Sequence, residues 1–283
     1  MNKLFGLLLA GSMVLTGCSS SASATEDSSN VLRVGMECAY APFNWTQETA
    51  EVADGSTAVP IYQSDYYAYG YDVMVSQMIA DELGMELEVH KVEWDSIGLG
   101  LTSGEYDAIV AGMGYTQERD ASYDFTDPYY FRENVIVVRA DSEYASFTKL
   151  SDFAGTGAVG TTQLGTCWVG IMDQVPGYTQ GAYYSTTAEC FMAVSNGAAD
   201  FTIIDLPTSQ SALLTNPDLK ILELDENDTL SDPTGATNVC IAVAEGDSEL
   251  QQKIQDAMDA LDLDKDKMNE LMGLAIELQP ASN

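Results

Sequence analysis

The 283 residues carry 44 Asp plus Glu against 11 Lys plus Arg, a formal net charge of −33. Such an acidic surface repels phosphate backbones and anionic headgroups, which argues against a DNA or RNA partner. The charge keeps the chain soluble but does not reveal its ligand.

The chain opens with Lys3 and an apolar run over residues 4–15, closing on Leu15-Thr16-Gly17-Cys18. A basic start, a short apolar stretch and small residues at its end predict a signal peptide over 1–17, not a membrane span. This end resembles a bacterial lipoprotein lipobox, which implies cleavage before Cys18 and lipidation of its thiol. Residues 18–30 are polar and of low complexity, and form a tether. About 250 residues then remain, enough for two medium domains or one large one.

Residues 31–36 read as a buried strand running into a loop that holds Glu37 and Tyr40. Residues 46–69 are polar with Gly and Tyr, and are expected to be mostly surface loop. Over 72–83 the apolar Val75, Met78, Ile79 and Leu83 share one helical face, and Gly84 stops the helix. Residues 85–92 alternate as a strand. Trp94, a short helix over 95–102 and, over 103–110, a turn and a short buried strand follow. This order of strands and helices is α/β with a mainly parallel sheet. Further strands are expected at 135–138, 158–162, 201–204, 221–224 and 239–243, with a weak one at 183–184. A helix of about two to three turns should open after Gln163-Leu164-Gly165-Thr166-Cys167. Further helices are expected at 188–195 and 248–261, and the tail is helical. Residues 103–110 (SGEYDAIV) and 196–203 (NGAADFTI) echo each other. Two lobes of one design, each delivering a strand end to a shared cleft, account for the echo.

Several motifs lead nowhere. Gly155, Gly157 and Gly160 have the dinucleotide-loop spacing, but a helical turn precedes them and a strand follows, the reverse of what that loop needs. Asp262, Asp264 and Asp266 imitate a calcium loop, yet Lys267 stands where Gly is required and Gly273 where Glu is. No G-x-S-x-G is present, and His90, the one histidine, has no evident nucleophile partner. No metal site, cofactor or catalytic residue is expected. An extracytoplasmic address permits disulfides among Cys38, Cys167, Cys190 and Cys240, though buried free thiols fit as well.

Binding chemistry concentrates in residues 111–130. Gly112 and Gly114 bare the backbone, and Thr116 and Arg119 add a hydroxyl and a guanidinium, together a grip for a carboxylate or a phosphate. Glu37, Tyr40 and Trp94 lie at neighbouring strand ends. Across from them come Gln163, helix-opening amides at Thr166 and Cys167, and Asp205 at a strand end. Arginine for an anion, a carboxylate for an ammonium and aromatic walls describe an amino-acid pocket. At an effective dielectric near 20, a charge pair at ~4 Å gains about 4 kcal/mol before desolvation. Two such grips on one zwitterion are compatible with ~μM binding.

The segments LRVGMECAYAPFNW, GYDVMVSQMIADELG, EWDSIGLGLTSGEYDAIVAGM, YTQERDASYDFTDPYY, QLGT and ADFTIIDLP together resemble the family 3 extracellular solute-binding proteins of ABC transporters. The resemblance runs from about Val31 to the C-terminal helix, and its most specific part is Thr-x-x-Arg followed by Phe-Thr-x-Pro-Tyr. It implies a two-lobed, type II periplasmic-binding-protein fold with two hinge crossings, one lobe being 31–131 with 236–283 and the other 132–235. It also implies capture of a polar amino acid for permease subunits at the outer face of a bacterial membrane. By this resemblance Arg119 holds the ligand's α-carboxylate with backbone amides near Gly112, Gly114 and Cys167. Asp205 takes the α-amino group, Tyr40 and Trp94 sandwich the side chain, and Glu37 reaches toward it, leaning the choice to a basic or polar ligand. A hydroxyl common in the family is missing at Gly114, and Cys167 stands where Thr or Gly is usual. An extracytoplasmic enzyme on the same fold, such as a prephenate or arogenate dehydratase, is the alternative, with Glu37 as proton donor.

Overall fold

The computed structural model describes residues 30–232 and 235–280. The expected leader, Cys18 and the tether up to residue 29 lie outside the described residues. β1 (Val31–Met36) is an inner strand whose last three residues are all buried. β2 (Ala39–Tyr40), β3 (Asn44–Gln47), β4 (Val59–Pro60) and β5 (Tyr67–Tyr69) then build a separate antiparallel sheet in the order β2-β3-β5-β4. This corrects the expectation of a surface loop over 46–69. Trp45 lies opposite Tyr69 in the ladder, and their rings meet edge to face at 5.6 Å. Strands this short leave no stretch of alternation long enough to read.

α1 (Tyr71–Leu83) buries Tyr71, Val75 and Ile79. It ends at Gly84, whose φ of 67° lets its N–H turn back to the Ala80 and Asp81 carbonyls. β6 (Glu86–Lys91) pairs parallel with β1. A single turn at Trp94–Ser96 leads into α2 (Ile97–Ser103), and β7 (Ala108–Ile109) pairs parallel on the other side of β1. After the one-turn α3 (Gln117–Asp120), β8 (Tyr123–Tyr130) runs to the first crossing between the lobes.

The second lobe holds β9 (Asn134–Arg139), β10 (Val159–Thr161), α4 (Trp168–Met172), β11 (Thr179–Gln180), α5 (Thr187–Ser195), β12 (Phe201–Asp205), α6 (Leu206–Thr215) and β13 (Leu219–Ile221). β14 (Val239–Ala244) returns to the first lobe, followed by α7 (Ser248–Ala260) and α8 (Lys265–Leu278). The sheet orders are β6-β1-β7-β14-β8 and β11-β10-β12-β9-β13. In each, three parallel strands meet a fourth that runs antiparallel and comes from the far side of a crossing. The architecture is therefore a bilobed α/β fold of the periplasmic-binding-protein kind.

The echoed segments occupy matching places. Asp107 Oδ2 accepts the amide of Arg33 on β1 at 3.0 Å, and Asp200 Oδ2 accepts the amide of Val159 on β10 at 2.8 Å. Each aspartate thus ties the strand it precedes to the first parallel strand of its own lobe. Two local expectations are corrected. Tyr184 makes only an isolated bridge with Gln163, while the strand of that region is β11. α4 has five residues, fewer than two turns. Among the described residues no helix is long and apolar enough to cross a membrane. Cys38, Cys167, Cys190 and Cys240 are all free thiols. Burial pushes Cys38, Cys190 and Cys240 up to about 12.

Candidate functional site

The cleft is built around the turn that follows β7. Gly112 sits at φ 58°, and a Cβ there would lie 2.4 Å from the Tyr40 ring, so this position requires glycine. Its N–H donates to Tyr129 Oη at 3.1 Å, and Tyr129 Oη in turn donates to Asp72 Oδ1 at 2.7 Å. Asn44 Nδ2 donates to the other oxygen of Asp72 at 2.7 Å. Burial pushes the Asp72 carboxyl up to about 6, with the Tyr129 and Asn44 bonds pulling against it. The Gly112 amide, expected to face the ligand, is therefore committed to the protein. Its carbonyl accepts from Arg132 Nη2 at 2.6 Å.

Gly114 bridges Val239 of β14. The flanking ladder bonds, Cys240 N–H to Met113 O and Tyr115 N–H to Asn238 O, leave Gly114's own N–H and C=O on the opposite side, toward the cleft. Arg119 Nη1 donates to that carbonyl at 2.7 Å. The Thr116 hydroxyl caps α3 by accepting Arg119's amide at 3.1 Å. It thereby orients the arginine and does not line the cavity. Arg119 Nη2 reaches across to Gly165 O at 2.9 Å, and Trp94 Nε1 donates to the same carbonyl at 3.3 Å. The Arg119 guanidinium stands 5.1 Å from the Trp94 ring centre, a cation–π contact. Desolvation, with Arg132 among the neighbouring charges, lowers Arg119 below the ordinary guanidinium value.

Glu37 is 8% exposed and accepts from Gln163 Nε2 of the second lobe at 3.3 Å. Burial pushes its carboxyl up to about 7, against the pull of that hydrogen bond. Gln163 is held by a second bond to Ser185 O at 2.9 Å, and Thr166 Oγ1 donates to Gln163 O at 2.7 Å. Tyr40 stacks on Phe43 at 4.8 Å and donates its hydroxyl to Asp205 Oδ2. Asp205 is fully buried, and its other oxygen caps α6 by accepting Thr208 N–H at 2.8 Å. Burial, followed by the Asp205 charge, holds the Tyr40 phenol protonated.

The lining leaves a cavity of about 10 Å³, room for about one water between the closed lobes. Glu37, Tyr40, Trp94, Gly112, Gly114, Arg119, Gln163, Thr166 and Cys167 all border it, whereas Thr116 and Asp205 stand behind it. Two further residues border it that no motif pointed to, Arg132 and Trp168. The signal available for Arg132 was the scarcity of cations, with only 11 in the chain and this one between two strands. Arg132 lies 5.1 Å from the Trp168 ring centre, and Nη1 donates to Cys167 Sγ at 3.4 Å. Guanidiniums, a backbone amide, aromatic faces and a carboxyl able to ionise near neutrality equip the cleft for a small zwitterion. Among the described residues no group of three or more His, Cys, Asp or Glu is placed to hold a metal ion. His90 pairs with Glu88 at 2.8 Å and stacks on Tyr62.

Known proteins share this design. The arginine-binding extracellular protein ArtP of Bacillus subtilis (strain 168) is 32% identical over 152 residues, 53% of each chain, so the match spans about half of that relative's length. An ancestral arginine-binding protein, solved with arginine, superposes with a TM-score of 0.67 at 28% identity, covering 85% of this chain and 97% of that one. The same ancestral protein solved with glutamine gives the same score and identity, covering 85% and 96%. The model of bacterial extracellular solute-binding proteins, family 3, matches residues 32–272. With its matched length, its bilobed fold and its closed interlobe cleft, the chain belongs to the bacterial extracellular solute-binding proteins of family 3.

Proposed function

We propose that the protein captures a polar L-amino acid with a basic side chain, L-arginine foremost, for an ABC importer. The observation that carries this reading is Glu37, a nearly buried carboxyl bordering the same cavity as Arg119. The ligand's α-carboxylate meets Arg119 and the Gly114 amide. Its ammonium takes the place of the Tyr40 hydroxyl at Asp205, and its side chain passes between Tyr40 and Trp94 toward Glu37. The arginine-binding names of the relatives support the basic choice, while the structure with glutamine allows a neutral polar one. We further propose the leader at 1–17, lipid attachment at Cys18, a tether to residue 30, and lobes formed by 31–131 with 236–283 and by 132–235. Permease subunits at the outer face of the membrane would receive the ligand.

Lobe closure supplies the mechanism. A ligand seated on the first lobe completes its contacts only when Gly165, Gln163 and Asp205 arrive, and this difference in affinity drives closing. A thermal-shift screen over the common amino acids tests the reading. A basic amino acid should give the largest shift, and Arg119→Ala and Asp205→Ala should abolish it; if both variants respond like the parent, the site is wrong. One observation favours a second reading: a carboxyl near pKa 7 is suited to general acid catalysis. Turnover of prephenate or arogenate seen by mass spectrometry would establish the enzyme and defeat the transport reading.

A further inference from the structure

Arg132 is a cation without an anion. It lies at the first crossing between the lobes, is 9% exposed, and forms no ion pair with a carboxylate among the described residues. The Asp205 carboxylate is reached only through the Tyr40 hydroxyl, 3.5 Å from Nη2, which itself donates to Asp205. Nη1 has only the Cys167 sulfur, a weak acceptor, at 3.4 Å. Nε is buried and has no hydrogen-bond partner at all. A buried guanidinium N–H left unpaired is costly, and a protein keeps such a group where something else completes it. The cavity that Arg132 borders is that of the proposed ligand.

We propose that Arg132 is a second anion anchor of the cleft, contacting the ligand's α-carboxylate from the hinge side while Arg119 holds it from the first lobe. This inference rests on the amino-acid reading above. Nη2 already donates to the Gly112 carbonyl at 2.6 Å, which leaves the unpaired Nε–H edge, and Nη1–H with only a sulfur acceptor, for a carboxylate oxygen. Phe43 and Trp168, with ring centres 5.8 and 5.1 Å from the guanidinium carbon, keep that edge from swinging away. The position also ties the ligand to the hinge. Arg132 N–H bonds Asn238 Oδ1 of the return crossing at 3.3 Å, and Asn134 Nδ2 of the outgoing one bonds Thr237 Oγ1 at 3.0 Å. An anion held by Arg132 is thereby held against both crossings at once.

The test is calorimetric titration of the whole mature chain with L-arginine and with L-arginine methyl ester, which lacks the carboxylate charge. Arg132→Gln should weaken the acid by about 10- to 100-fold and the ester by less than about threefold. Arg132→Lys, which keeps the charge but loses the fork, should fall between and also discriminate acid from ester. Melting curves identify a variant that has lost its fold, in which case the lysine variant alone decides. An equal loss for acid and ester overturns the inference and leaves the amino-acid reading standing. Should the screen find another amino acid, its acid and methyl ester take the same places. A parent chain that binds none of the common amino acids overturns the functional reading, and this inference with it.

Discussion

The two lobes share one sheet plan but contribute unlike chemistry to the cleft between them. The first lobe presents charged and aromatic side chains, each set by its own surroundings: Arg119 by the Thr116 cap and Trp94, Tyr40 by Phe43, and Glu37 by burial. The second lobe presents a backbone carbonyl at Gly165, the Gln163 amide, and Asp205, which is already engaged by Tyr40 and Thr208. On the proposed function, the difference gives reading of the ligand to the first lobe and completion of the enclosure to the second. On the proposed closure, the second lobe would approach as a unit. Its contributions are strand ends and helix starts that cannot adjust one by one.

The sharpest way to break this comparison is to remove the main charge of the first lobe. Arg119→Ala should weaken ligand binding by a hundredfold or more, on the order of 3 kcal/mol, with little change in melting temperature. Titration calorimetry reads it, and a loss confined to a few-fold would place the reading lobe elsewhere. Gly112→Ala tests the turn that carries the first lobe's half of the cleft. The strained φ and the clash with Tyr40 together should lower stability by roughly 2–4 kcal/mol in a denaturant melt.

Acidity separates the lobes next. Glu37 has its pKa raised by burial to about 7, so its neutral form favours the ligand-free fold. That contribution is complete below about 4.5, the ordinary value, and is lost as pH rises through about 7; Asp72, raised to about 6, acts in the same direction. A cationic ligand needs the ionised carboxylate, so its affinity should rise about tenfold per pH unit up to about 7 and then level off. Glu37→Gln should flatten that profile, and neutral L-glutamine should show none. A flat profile with the parent chain and L-arginine would remove Glu37 from the ligand's side chain.

Two smaller effects test the contacts that join the lobes. Tyr40→Phe leaves a buried Asp205 oxygen without its donor and should cost about 1–3 kcal/mol of stability in the ligand-free state. Bound ligand should recover much of this if its ammonium replaces the hydroxyl as proposed. Gln163→Ala removes the long hydrogen bond to Glu37 across the cleft, with the bond to Ser185 O inside its own lobe, and should weaken binding less than about tenfold. If it matched Arg119→Ala, the division of labour between the lobes would fail.

Local pattern was enough for α/β order, for α1 with its Gly84 stop, for most inner strands, and for the paired segments ending at β7 and β12. These features rest on periodicity, caps and glycine, which act between residues close in the chain. The small sheet around Trp45 and Tyr69 escaped because each of its strands is stable only against the next, and none is long enough to show a period. The site was legible to a similar depth. Residue types and their positions at strand ends named most of the cavity wall, but not what each polar group does there. The Thr116 hydroxyl is spent on a cap and the Gly112 amide on Tyr129, and Asp205 stands behind the wall with Tyr40 in front of it. Arg132 shows the boundary most clearly. In sequence it is one cation between two strands. Only the packing of Phe43, Trp168, Cys167 and Tyr40, drawn from distant parts of the chain, buries it beside the cavity with an N–H unpaired, because desolvation is a property of the assembled interior and not of any local segment.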